Sequence, residues 1–166
     1  MRITVYPDGR VVVTKPQRTS SKNIEEFVRK YETWITERRA KLLKRAPLIA
    51  LPRPRKNSKA YKEARAAARE LVTRRLEHFN REYGYTYGTI SIRDQKTRWG
   101  SCSAKGNLSF NYRIVFLPSE LADYLVVHEL CHLKEHNHSK RYWELVERAV
   151  PDYKKLGAQI RKGYSL

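Results

Sequence analysis

The chain opens with two short runs rich in β-branched and aromatic residues, Arg2 to Tyr6 and Arg10 to Thr14. Pro7-Asp8-Gly9 between them is a turn signal, so the pattern predicts a hairpin. The hydrophobic period then changes to that of a helix. Ile24, Phe27, Val28, Tyr31, Ile35 and Leu42 fall on one face, and Asn23 with Glu26 three residues on reads as a capping box. That helix is expected to end before Pro47. Pro47 to Ser58 holds three prolines and no long period, which marks a linker or an extended crossing segment. A second helix is predicted over Lys59 to Tyr83, with Ala64, Ala68, Leu71, Val72, Leu76 and Phe79 inward and Gly84 as its stop. Tyr87 to Arg93 is β-like. Lys105-Gly106-Asn107 is a turn signal, so Trp99 to Ser103 and Leu108 to Phe116 are expected to pair. Pro118 and Ser119 open a third helix. Ser139 opens a fourth, with Tyr142, Leu145, Val146 and Ala149 inward, and Pro151 stops it. A short last helix carries Tyr153, Leu156 and Ile160.

Composition narrows the class. A length of 166 residues with 40% hydrophobic residues suits one folded domain, or a small catalytic domain with an appendage. No run of 18 apolar residues is present, so no transmembrane helix is expected. The start lacks the apolar stretch of a secretory signal. Two cysteines, Cys102 and Cys131, make no disulfide scaffold, which points to a reducing, cytoplasmic setting. Charge changes the picture more. Lys and Arg number 35 against 17 Asp and Glu, a net +18. From Arg38 to Arg75 the only acids are Glu63 and Glu70. Such an excess attracts polyanions, chiefly nucleic acid, through counterion release. The blander explanation is a solvated helix face followed by a basic linker. No zinc-finger, RNP or GxxG signature accompanies the charge, so contact with nucleic acid would not be sequence-specific.

The third helix holds the chemistry. His128-Glu129-Leu130-Cys131-His132 is H-E-x-x-H. Helical residues four apart lie about 40° apart on one face, so both imidazoles can reach one ion. Zinc takes His nitrogen, and a catalytic zinc keeps three protein ligands and an open position. Glu129 is poorly placed as a ligand of that ion and well placed as a general base. A chance H-E-x-x-H arises in very roughly one chain in 100 of this composition, so the false-positive risk is small.

His136 and His138 are the candidates for a third ligand. On an unbroken helix His138 would lie about 280° round and about 15 Å along from His128. It reaches the ion only if the helix breaks and the chain returns. Asn137 tolerates the left-handed conformation such a return would use, and Ser139 starts a new helix, so His138 is favoured. His136 would point along the helix. The spacing H-E-x-x-H-x5-H occurs in peptidases that use the Glu as base. Ribonucleases resembling YbeY space three histidines alike without that Glu. Metzincins carry a Gly where Glu135 stands and a Met-turn beneath the metal, and the sole methionine here is Met1.

HELCHLKEHNHSKRYWELVERAVPDY resembles the signature of YgjP-like metallopeptidases, which are similar to the SprT and WLM zincins. QKTRWGSCSAKGNLSFNYRIVFLP and the N-terminal MRITVYPDGRVVVTKP resemble the same family, so the likeness spans nearly the whole chain. One departure stands out, because family members usually carry an extra strand-bearing segment where only Pro47 to Ser58 stands here. The resemblance implies zinc on His128, His132 and His138, one ion per chain, with Glu129 as base. It also marks Arg98, Trp99, Gly100, Ser101, Cys102 and Ser103 as a strand near the cleft, beside which a peptide can add as a further strand. For Trp99, plain core packing is an equal alternative. Tyr112, Tyr142 and Arg98 are candidates for steadying the oxyanion. Cys102 and Cys131 are expected as buried thiols.

The expected architecture is an α+β zincin-like domain with an antiparallel hairpin or sheet and an H-E-x-x-H helix. Residues 1–46 form a hairpin-and-helix appendage, 47–58 a basic linker and 59–166 the catalytic domain. The expected function is a zinc endopeptidase acting on protein or peptide as a monomer, with nucleic acid near by and no membrane. The competing readings are a metal-dependent nuclease, which Glu129 opposes, and a nucleic-acid-binding module with structural zinc, for which no fourth ligand is suitably spaced.

Overall fold

The computed structural model describes residues 1–6, 10–43 and 49–166. The chain forms two compact units, Met1–Pro47 and Leu48–Leu166.

In the first unit, β1 (Arg2–Val5) pairs antiparallel with β2 (Val11–Thr14), with Arg2 opposite Thr14 and Val5 opposite Val11. The turn expected at Pro7-Asp8-Gly9 lies outside the described residues, as do Lys44 to Leu48, where the first helix was expected to end. That helix is in fact two, α1 (Ser21–Lys30) and α2 (Glu32–Leu43), separated at Tyr31. The cap is also not where the capping box placed it. Ser20 is the N-cap, and its hydroxyl accepts from the Asn23 amide at 3.3 Å. A serine in extended backbone meets a free helical N–H better than an asparagine already inside the first turn. Met1, Ile3, Phe27, Tyr31 and Trp34 line an apolar hollow of about 210 Å³ within this unit.

The second unit is built on two long-range partners. α3 (Lys59–Tyr83) has the predicted bounds. Ser58 caps its start, accepting from the Tyr61 amide, and Gly84 ends it in the left-handed conformation, φ 63°. Its inward row, Ala64, Ala68, Val72 and Leu76, repeats every four residues and is buried. Leu71 and Phe79 are half-buried at the edge of the same core.

Beside α3 lies a three-stranded sheet. β4 (Ile90–Arg93) runs parallel to β6 (Leu108–Asn111), and β5 (Gly100–Cys102) runs antiparallel to it, giving the order β4-β6-β5. All four residues of β6 are buried, as suits a central strand. The strand expected to reach Phe116 stops at Asn111. There the Asn111 side chain accepts from the Arg113 amide and donates to the Gln95 carbonyl at 2.6 Å, and a 3-10 helix, Tyr112–Phe116, takes over. The side chain offers the backbone a local partner in place of the sheet ladder.

α4 (Ser119–Cys131) is the centre of the unit, in contact with α3, β5 and the two helices that follow, α5 (Lys140–Ala149) and α6 (Tyr153–Gly163). Nine of its 13 residues are buried, on all sides. Such a helix is held by tertiary packing on every face. α6 approaches closely at Gly157, where a Cβ would stand 2.8 Å from the Tyr124 hydroxyl. Arg75 of α3 forms a two-pronged ion pair with Asp123 of α4, Nη2 to Oδ2 at 2.6 Å. Part of the stretch expected as a linker or an extended crossing segment is a strand. β3 (Ile49–Ala50) pairs in parallel with β7 (Tyr164–Ser165), and Leu51 packs against the core. Among the described residues no helix is long and apolar enough to cross a membrane. Cys102 and Cys131 are both free thiols. Burial pushes Cys131 up to about 12, the behaviour of an inert core thiol.

Candidate metal centre

α4 ends at Cys131, and His132 occupies its C-cap. His128 and His132 therefore project from the last turn, one turn apart. The chain then breaks, as a third histidine requires. The amides of Lys134 and Glu135 both return to the Cys131 carbonyl at 3.1 Å. The return differs from expectation at Asn137, which has no positive φ; among the described residues only Asn57 does, glycines aside. Asn137 acts through its side chain, whose Oδ1 accepts from the Ser139 amide at 3.1 Å. This Asx turn reverses the chain without left-handed backbone. Ser139 then caps α5 by accepting from the Tyr142 amide.

The result is a tripod. One ring nitrogen from each of His128, His132 and His138 lies within 4.8 Å of the other two, and His136 is not part of the group. Nε2 of His128 and Nε2 of His138 are 3.2 Å apart. Two nitrogens bound tetrahedrally to one zinc lie about 3.3 Å apart, given bonds of about 2.0–2.1 Å. The His132 Nδ1–H donates to the Glu135 carbonyl at 3.0 Å, a tautomer that leaves Nε2 with its lone pair. His128 Nδ1 is buried without a partner. Burial lowers the basicity of both helical histidines. His128 is pushed down to about 3, by burial first and then by His132 and His138. His132 is lowered too, chiefly by burial. Neutral imidazoles with converging lone pairs form a donor set that fits zinc.

Glu129 stands beside the tripod and is 5% exposed. Burial pushes its carboxyl up to about 8, with Arg98 acting in the opposite sense. The edge strand β5 runs against it. A Cβ on Gly100 would come within 2.5 Å of Glu129 Oε1 and 2.7 Å of Cδ, so the strand passes this close only because residue 100 has no side chain. Trp99 is half-buried against the core, and its carbonyl accepts from the Asn111 amide at 2.7 Å. Arg98 is exposed, and Ser101 is half-buried on β5.

The two tyrosines named as candidates for steadying the oxyanion are both buried. Tyr112 is fully buried against Tyr61 and Phe116. Tyr142 is fully buried behind the histidines, with its hydroxyl donating to the His128 carbonyl at 2.9 Å. Both side chains are enclosed, and of the two only Tyr142 contacts the histidines. The helical periodicity marked Tyr142 as inward-facing and in that respect foretold its position. Two further aromatics went unread. Trp143 stacks between His138 and Tyr153, and Tyr124 meets His128 edge-on. The one signal for Trp143 was its place one residue beyond Tyr142 in the helix that His138 leads into.

Comparison with known families gives a match to the YgjP-like metallopeptidase domain, over residues 1–61 and 50–162. Among solved structures, the metallopeptidase zymogen of Pyrococcus abyssi abylysin is 25% identical over 56% of this chain and 98% of its own, with a TM-score of 0.46. The metallopeptidase zymogen of Methanocaldococcus jannaschii jannalysin is 22% identical over 57% of this chain and 93% of its own, with a TM-score of 0.45. No curated protein matches. The family match takes in α1 to α5, nearly all of α6 and the whole H-E-x-x-H segment, and on that extent the chain belongs to the YgjP-like metallopeptidases.

Proposed function

We propose that the protein is a zinc-dependent endopeptidase in which His128, His132 and His138 hold the ion and Glu129 is the general base. The observation that carries this reading is the tripod itself: three ring nitrogens within 4.8 Å, with a buried carboxyl on the residue next to the first. Zinc bound there supplies Lewis acidity, polarising the scissile carbonyl and easing the ionisation of water. The chain's own residues do the rest. Glu129 takes the proton from the attacking water on its carboxylate oxygen and delivers it to the leaving amine. Glu129 would hold its carboxylate form more readily with a divalent cation on the three histidines, against the burial that raises its pKa. β5 offers an unpaired edge on which a peptide backbone can lie, with Arg98, Trp99 and Ser101 near its path.

The surplus of basic residues supports action near nucleic acid without sequence preference. In the second unit Arg53, Arg55, Lys56, Lys62 and Arg69 are all exposed. Glu129 favours peptide hydrolysis over the nuclease reading. A donor set of three histidines, with no fourth protein ligand in the group among the described residues, favours a catalytic ion over a structural one.

The test is cleavage of a loosely folded basic protein by the zinc-loaded enzyme, with and without single-stranded DNA, beside Glu129→Gln. Cleavage that falls by roughly 10²–10⁴-fold in the variant is the expected result. Cleavage of RNA or DNA that survives Glu129→Gln would overturn the reading.

A further inference from the structure

The three histidines share one neighbour. The Tyr142 ring stacks on His132 with centroids 4.5 Å apart and planes at 26°. It meets His138 edge-on at 4.8 Å and His128 edge-on at 5.4 Å. No other ring touches all three among the described residues; Trp143 reaches His138 and His128 only. The hydroxyl of Tyr142 donates to the His128 carbonyl, in the last turn of α4. One fully buried side chain therefore fixes the helix end that carries two of the imidazoles and packs against the rings of all three.

Local sequence delivers it there. Ser139 follows His138 directly and caps α5 through the Tyr142 amide. The same short turn that swings His138 back toward α4 also seats Tyr142 beneath the tripod. The chain has a single methionine, Met1, so no methionine fills this place.

We infer that Tyr142 is a positioning residue for the metal centre: its ring sets the planes of the three imidazoles, and its hydroxyl anchors the turn that bears His128. The inference rests on the zinc reading of the tripod. The contacts of Tyr142 are with the three imidazoles and the His128 carbonyl, so it acts through the ligands. A supporting partner of a metal ligand typically costs 10–100-fold in metal affinity or activity when removed. Tyr142→Phe removes the hydroxyl and keeps the ring, whereas Tyr142→Leu removes the ring.

The experiment measures zinc affinity by competition with a chromophoric chelator, and the visible absorption of the cobalt(II)-substituted protein. Val146→Ala, a core truncation on the same helix, controls for simple loss of stability. Circular dichroism checks that each variant is folded. The expected result is a roughly 10-fold weaker zinc affinity in Tyr142→Phe and up to about 100-fold in Tyr142→Leu, with altered cobalt bands. Val146→Ala is expected to keep the wild-type affinity and spectrum. Wild-type affinity and an unchanged cobalt spectrum in both tyrosine variants would overturn the proposal, as would an equal loss in Val146→Ala. Failure of the wild type to bind zinc at all would sink the metal reading itself, which is a separate result.

Discussion

Gly100 offers the sharpest test of how Glu129, the proposed base, is held. A methyl group there would lie 2.5 Å from Glu129 Oε1, 2.6 Å from Cγ and 2.7 Å from Cδ. Ordinary carbon contacts begin near 3.5 Å, so the carboxylate must move by about 1 Å. Gly100 does not have positive φ, so alanine fits the backbone and the strain falls on Glu129. A glutamate is long enough to swing aside at about 0.5–1.5 kcal/mol of rotamer strain. Part of that is offset by the 0.4–1 kcal/mol that Gly→Ala generally contributes through the unfolded chain, so stability changes by less than about 1 kcal/mol. Catalysis is less tolerant, since a misplacement of about 1 Å costs on the order of 10²-fold, or about 2.7 kcal/mol. Gly100→Ala is therefore expected to lower kcat/KM on a quenched fluorescent peptide about 100-fold while leaving zinc affinity and urea unfolding close to wild type. Gly163→Ala, with open space around its Cβ, is the control and stays fully active. Full activity in Gly100→Ala would refute the reasoning, either because Glu129 is not the base or because its position is not set by β5.

Other expectations follow from the same geometry. His138→Ala should weaken zinc binding beyond the roughly 10–100-fold cost of a lost supporting contact, and His136→Ala should leave it unchanged, both read by chelator competition. Gly157→Ala drives a Cβ to 2.8 Å from the buried Tyr124 hydroxyl and should cost about 1–3 kcal/mol in urea unfolding. The metal-free protein should show a stability maximum in mildly acidic solution. His128 is pushed down to about 3, so the unfolded chain binds the extra proton between there and about 6.5, and stability is lost as pH falls through that window. Glu129 is pushed up to about 8, so the folded chain keeps the extra proton above about 4.5, and stability is lost as pH rises toward 8. Thermal melts across pH check this, and a metal-free melting temperature that climbs steadily from pH 5 to 8 would contradict it.

What the sequence made legible was the local and the periodic. Ser58 and Gly84 are strong helix punctuation, and α3 begins and ends on them. H-E-x-x-H needs only helical spacing to be read, and Ser139 announced the helix after the third histidine. The break between α1 and α2 at Tyr31 carries no Pro or Gly to signal it. The parallel pairing of β4 with β6 and the pairing of Ile49 with Tyr164 join residues far apart in the chain, which periodicity does not register. The turn at Asn137 was foreseen for its sense and misread for its means, because an Asn side chain can stand in for left-handed backbone. The support given by Tyr142 was invisible for a related reason. An inward-facing aromatic on an amphipathic helix looks like any core residue until its neighbours are known.

The two-residue ladder between β3 and β7 carries a kinetic consequence. It joins segments separated by more than a hundred residues. Closing a loop of that length costs roughly 4 kcal/mol of chain entropy, while each hydrogen bond of so short a ladder returns about 1 kcal/mol. The ladder cannot nucleate anything. It forms once α3, α4 and α6 have brought Tyr164 within reach, so it is a late contact in folding and an early one to open. The N-terminal end of the second unit is thus held by a clasp weaker than the core behind it. The clasp can open and close on its own timescale, well below the free energy needed to unfold the helix that carries His128 and His132.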